Sequence, residues 1–271
     1  MEYGKIKQGT IIHGLRSNQY PNRECSAIII TAECDIAQCK VSKFYYLSAM
    51  DVRTWMDTDG LDYTTANLQL AKFKTFINNF SGKIPELKQY QNVAVVDLDK
   101  IESDIRNLPD PIDTSPALKE LSKIKMYRAQ TKDVLGNLKR VINGDLTHYF
   151  FLPYNTYTAK NQKELKPKDF CEGLVVNLLD IGFFDSATVS MIERQDMDFA
   201  KLSETDREQY GKQFFLEKSG DMIFPEEAIK PPYRELLMQS FSFAFIRIGV
   251  DFNSTNAKNY WDKEFPNTEM P

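Results

Sequence analysis

The residues best suited to chemistry in this chain lie close together in the run Thr31-Ala32-Glu33-Cys34-Asp35-Ile36-Ala37-Gln38-Cys39-Lys40. Thiols, two carboxylates and a lysine follow directly on the apolar run Ala27-Ile28-Ile29-Ile30. At such a point a strand ends and side chains become accessible. Cys34 and Asp35 are therefore candidate catalytic residues. A neighbouring cation lowers a thiol's pKa, and the thiolate is the reactive form. The competing reading is a turn in which Asp35 accepts backbone N–H bonds and caps a short helix. The second reading is preferred, because no base partner follows.

The remaining inventory is sparse. Cys25, Cys34 and Cys39 fall within fifteen residues, with Cys171 far away. Zinc favours four ligands in paired knuckles. That spacing is absent, and Cys25 and Cys34 flank the apolar run, so ordinary thiols are expected. His13 and His148 are the only histidines. A histidine-rich metal site is excluded, and any Ser-His-Asp arrangement would depend on one of the two. No GxxxxGK[ST], GxGxxG, GxSxG or HExxH pattern occurs, which argues against P-loop hydrolysis, dinucleotide redox chemistry and zincin proteolysis. No metal and no cofactor is expected.

Charge offers a different lead. The chain carries 34 Lys+Arg against 38 Asp+Glu, a net charge of −4. Between positions 115 and 144 the balance reverses: Lys119, Lys123, Lys125, Arg128, Lys132, Lys139 and Arg140 face only Glu120 and Asp133. A basic helix face neutralises phosphates and steers nucleic acid, so these seven are candidate nucleic-acid-binding residues. The alternative is an ordinary solvated helix surface. A chain of 271 residues, 42% of them apolar, can bury a core without disulfides. No apolar run approaches the ~20 residues of a membrane span, and the start lacks a signal peptide's apolar stretch. A soluble, cytoplasmic protein with reduced thiols and no membrane partner is the expectation.

The elements that must position these residues read as strands, then helices, then strands. Residues 7–13, 27–31 and 44–50 have strand composition, with a polar loop over 15–24. Leu68, Ala71, Phe73, Phe76, Ile77 and Phe80 recur at helical spacing, so a helix is predicted over 62–80, stopped by Gly82 and Pro85. Residues 93–98 fit either a strand or a helix start, and 108–113 form a proline-rich linker. Ser115 before Pro116 predicts a capped helix over 115–143, the longest in the chain, with an irregularity near Thr131. Strands are predicted at 147–152, 173–179 and 186–192. A capping box, Ser203-Glu204-Thr205-Asp206, precedes a short helix. A C-terminal helix follows Pro231-Pro232 and ends at Gly249, before a loose tail over 253–271. The class is α+β: a small curved antiparallel sheet or barrel from residues 1–60 and 146–252, a C-terminal helix, and a helical lobe inserted over 61–145.

The first fifty residues resemble the SH3-like barrel of the MazF/PemK-like toxins, which cleave RNA. The likeness lies in the opening Gly9-Thr10-Ile11-Ile12, a polar loop ending at Arg23, the run Ala27-Ile28-Ile29-Ile30, and Tyr45-Tyr46-Leu47-Ser48-Ala49. The resemblance implies catalytic roles for Arg23, stabilising the phosphate's developing charge, and Ser48, orienting the attacking 2′-hydroxyl. Glu24 follows Arg23 where the family has proline, and Ser48 stands where it has threonine. A metal-independent endoribonuclease in a bacterial toxin–antitoxin or phage-defence setting is what the likeness implies. The sparse catalytic inventory favours binding instead: RNA or DNA through the barrel and the basic helix. The other alternative is a scaffold whose helical lobe binds a protein from the same operon.

Overall fold

Ala27, Ile28 and Ile29 have no solvent exposure because the strand they belong to, β2 (Glu24–Ile29), lies inside a sheet and is covered on both faces. The structure, a computed structural model, describes residues 6–38, 40–93, 96–109, 112–153, 156, 173–226 and 228–249, the last five by backbone alone. Cys39, Cys171 and the tail over 253–271 lie outside the described residues. The chain divides into two units, one made of Met1–Val52 and Val141–Pro271, the other of Arg53–Arg140.

In the first unit β2 is joined by β1 (Ile11–Arg16), β3 (Lys43–Asp51), β4 (Tyr149–Pro153), β5 (Gly173–Asp185) and β6 (Phe224–Pro225). Their order is β4-β5-β3-β2-β1-β6, every neighbouring pair antiparallel. The sheet is open and does not close into a barrel. Alternation along the strands separates two apolar faces. On one, Ile11, Ile28, Leu47, Ala49 and Val176 cluster with Leu237 and Ala244 of α9 (Tyr233–Gly249). On the other, Tyr46 stacks on Phe184 with ring centroids 4.5 Å apart, and Phe184 on Phe214 at 5.5 Å. Each such buried side chain contributes roughly 1.5–3 kcal/mol, so the two layers are the main source of this unit's stability. Burial also pushes the Tyr46 hydroxyl up to a pKa of about 12. Tyr46 pairs across the sheet with Gly182, and a Cβ at position 182 would lie 2.2 Å from the ring.

Three expectations are corrected here. Strand β1 runs through Leu15 and Arg16, so the loop shortens to 17–23, while Lys7–Thr10 form a turn rather than strand. Residues 186–192 form no strand: they make up most of α7 (Ser186–Glu193). Their β-branched composition suits either state, and the cap decides. The Asp185 carboxylate accepts the Thr188 N–H at 2.7 Å, a bond worth about 1 kcal/mol that exists only in the helix. Thr188, Val189 and Ile192 then share its buried side. The predicted capping box is present before α8 (Glu204–Tyr210), where the Ser203 hydroxyl accepts the Asp206 N–H. A further short helix, α1 (Glu33–Ala37), follows β2.

The second unit is helical. After α2 (Val52–Asp57) come α3 (Asp59–Phe80), a 3-10 turn (Pro85–Tyr90), α4 (Leu98–Arg106), α5 (Ser115–Met126) and α6 (Thr131–Ile142). Phe73, Phe76 and Ile77 of α3 meet Ala117, Leu121 and Ile124 of α5 in one core with Ile101 and Ile105 of α4. The ambiguous run at 93–98 resolves toward helix: Asp97 accepts the Lys100 N–H and caps α4, while Ala94 and Val95 lie outside the described residues. The single long helix over 115–143 is also corrected. Tyr127 is extended, with φ −67° and ψ 133°, and Asp133 accepts the Gln130 N–H at 3.0 Å. This bond favours a fresh helix start and splits the segment into α5 and α6. Among the described residues the longest helix is α3, of 22 residues. Ser115 is not the cap of α5, since Thr114 occupies that place and the Asp113 carboxylate takes the Ser115 N–H. Among the described residues no helix is long and apolar enough to cross a membrane.

Candidate nucleic-acid interface

Helical periodicity puts Lys72, Thr75, Phe76, Asn79 and Phe80 on one side of α3, at spacings of three and four residues. The same rule aligns Pro116, Lys119, Glu120, Lys123, Ile124 and Tyr127 along α5. These residues line a groove of about 770 Å³ within the helical unit. Its floor is apolar, since Phe76 and Ile124 are almost fully buried and Phe80 and Tyr127 half-buried. Its rim holds three ammonium groups and one carboxylate. Lys72 stands 4.3 Å above the Tyr127 ring. Lys123 pairs with Glu120 at 2.8 Å, both side chains well exposed; such a pair is weak and yields readily to a stronger anion. Lys119 has no acidic partner among the described residues.

The groove is fixed by polar ties between its two walls. Gln69 of α3 donates to the carbonyls of Lys125 and Tyr127, at 3.3 and 3.1 Å. Those carbonyls end α5 and have no intrahelical partner. Thr65 accepts the Ala129 N–H at 3.1 Å, and Asn137 donates to the Thr64 hydroxyl at 2.9 Å. The α5–α6 joint is thus stitched to α3, which holds Lys72 and Tyr127 in register.

The seven basic candidates do not form one surface. Lys119 and Lys123 reach the groove. Lys125, on the far side of α5, bonds to Asp99 and to Glu102 at 2.7 Å, and Glu102 also takes Arg106 at 2.6 Å. The Lys125 bond, with that of Arg106, holds the Glu102 carboxyl below its ordinary pKa. The bond to Asp99 raises that of Lys125. Arg128 lines a cleft with Asp97, Asp99 and Lys125. Lys132, Lys139 and Arg140 are exposed on α6, where Arg140 donates to Asn137 at 3.2 Å. Lys72, Asn79 and Tyr127 were not among the sequence candidates. The signal that could have found them is the polar stripe Lys72–Thr75–Asn79 beside the apolar positions of the same helix.

The N-terminal candidates lie apart from one another. Arg23 is exposed in the β1–β2 turn, where its backbone bonds to Tyr20 and Ser17. Ser48 is buried and pairs with Ala27, four residues along from Arg23. At about 3.3 Å per residue and about 4.8 Å between strands, their backbones are roughly 14 Å apart. The Ser48 hydroxyl donates to Asp180 where the β3–β5 register breaks between Leu47 and Ala49, so it pins that irregularity. Cys34 and Asp35 are exposed on α1, with Sγ 3.7 Å from the Asp35 carboxylate. Asp35 does not cap this helix; Ala32 is its N-cap, without a side-chain bond. Among the described residues no three His, Cys, Asp or Glu side chains are grouped to hold a metal ion.

One chain of polar groups was not foreseen. His13 stands between Ser26, whose hydroxyl is 3.0 Å from Nδ1, and Glu226, whose carboxylate is 2.7 Å from Nε2. These are the groups of a hydrolytic triad, but Ser26 is 6% exposed and strand-paired to both His13 and Ala49. Ser26 is thus held within the sheet. The arrangement instead anchors β6 and the residue after it to β1 and β2. Comparison with protein-family models, curated proteins and solved structures returns no match.

Proposed function

We propose that this protein binds nucleic acid through the groove between α3 and α5, without chemistry of its own. The observation that carries the reading is the rim of three lysines, Lys72, Lys119 and Lys123, against the single carboxylate of Glu120. The helical unit as a whole holds 14 Lys and Arg against 12 Asp and Glu over 53–140, while the entire chain is at −4. The unit is thus at +2 against −6 for the rest of the chain, and the rim of the groove carries a net charge of that same size. An ammonium rim over an apolar floor suits a polyanion that also carries flat apolar groups.

The test is the salt dependence of binding to a labelled oligonucleotide. Each phosphate neutralised contributes about −0.7 to −0.9 to the slope of log affinity against log salt. Replacing Lys72, Lys119 and Lys123 together by alanine should flatten the slope by about 2. Absence of binding at low salt, or an unchanged slope, rejects the reading. A second reading, an interaction scaffold, draws support from a different place. Tyr45, Leu179, Ile181 and Phe183 are exposed on β3 and β5, an apolar stripe of the kind that protein partners cover.

A further inference from the structure

We infer that the α3–α5 groove takes unpaired nucleotides, with bases on its floor and phosphates on its rim; the inference rests on the nucleic-acid reading and names the form of the ligand. Three observations carry it. First, the accessible part of the floor is aromatic: Phe80 and the ring of Tyr127 are half-buried, lying over the buried Phe76 and Ile124. A duplex keeps its bases in the stack and offers a protein surface mainly phosphate and sugar, which would leave that floor unused. Second, the walls are neighbouring packed helices, whose axes lie about 8–10 Å apart. A volume of about 770 Å³ falls in the range of sites that hold drug-sized molecules. It has room for one or two nucleotides and not for a helix of them.

Third, cation and ring are already paired. Lys72 sits 4.3 Å over Tyr127, so an arriving base takes the ammonium's place on the ring while the ammonium moves to that nucleotide's phosphate. Both partners exchange one favourable contact for another. Thr75 and Asn79 on the α3 wall supply hydrogen-bonding groups, and Lys119 and Lys123 belong to the α5 wall. An acidic peptide would match the rim but fills the ring only where an aromatic residue is spaced suitably from its acids, whereas every nucleotide carries both a flat base and a phosphate.

The experiment compares a short labelled RNA with the same RNA annealed to its complement, on the full chain at low salt. The single strand should bind about ten-fold or more tightly than the duplex. Tyr127→Ala should weaken single-strand binding about ten-fold or more, Tyr127→Phe should restore it, and Tyr127→Leu, which keeps apolar bulk but has no ring face, should not. Melting curves of the three variants identify any that fail to fold, and Tyr127→Phe against Tyr127→Leu then carries the comparison. Equal affinity for strand and duplex, or a Tyr127→Leu variant that binds like the original, overturns the inference while leaving the nucleic-acid reading in place. Failure of the original protein to bind either form overturns both.

Discussion

Two sides of α5 carry lysines of the same kind with opposite surroundings. On one, Lys119 and Lys123 look into the groove with Lys72, and Glu120 is the lone carboxylate beside them. On the other, Lys125 is held between Asp99 and Glu102. Two residues along a helix turn a side chain by about 200°, so Lys123 and Lys125 point to different environments although they are near neighbours in sequence. The contrast shows that a count of lysines gives charge, whereas only the fold decides which charges are available. Those of the groove can be offered to a ligand, and Lys125 is already spent on structure.

The contrast can be broken most forcefully by reversing charge in the groove. Lys119→Glu with Lys123→Glu should lower oligonucleotide affinity on the order of a hundred-fold at low salt, about 2.7 kcal/mol. Lys125→Gln should leave affinity unchanged; equal loss from both would show that the two sides do not differ. The next effect belongs to the sheet, where polar groups serve stability rather than binding. His13→Ala strands the Ser26 hydroxyl and leaves Glu226 unpartnered, and should cost about 1–3 kcal/mol of unfolding free energy by denaturant titration. Its oligonucleotide affinity should be unchanged. Loss of affinity at intact stability would instead assign the histidine a functional role.

The smallest effects sharpen the picture. Glu102→Gln removes one of the two carboxylates that hold Lys125 and should raise affinity only about two- to three-fold in a titration at low salt. The same variant has a pH signature. Because Glu102 titrates below its ordinary value in the folded state, it adds stability above the ordinary carboxylate pKa of about 4.3, and that contribution is lost as pH falls through the folded value. Asp221 behaves alike, its carboxylate bound to the N–H groups of Glu217 and Lys218. Melting temperatures of Glu102→Gln and Asp221→Asn should fall less steeply than the original below about pH 4. Parallel curves would remove these groups from the account of acid lability.

The α+β class and most elements were legible because their signals are local. The apolar runs at 44–50 and 173–179 lie on strands, the predicted strand over 27–31 is present only as far as Ile29, and the spacing of Phe73, Phe76, Ile77 and Phe80 marks a helix, as does the serine cap before α8. Residues 186–192 misled because their composition suits both states and the deciding group, Asp185, lies just outside them. The two-residue β6 has no periodicity to read. The basic cluster was legible as a count but not as a surface. The carboxylates that hold Lys125 come from α4, more than twenty residues earlier. Lys72 and Tyr127 meet across a gap that no motif spans, and His13 finds Glu226 at a separation of 213 residues.

The close approach at Gly182 has an evolutionary consequence. Its Cα lies against the Tyr46 ring with no space for even a methyl group, and that ring is the first of the three stacked aromatics on this face of the sheet. A lineage that acquires a side chain at 182 must shrink the residue at 46 in the same step or soon after. The two positions should therefore covary as a pair, large with none or small with some, and a reduced ring at 46 should rescue an otherwise damaging Gly182→Ala.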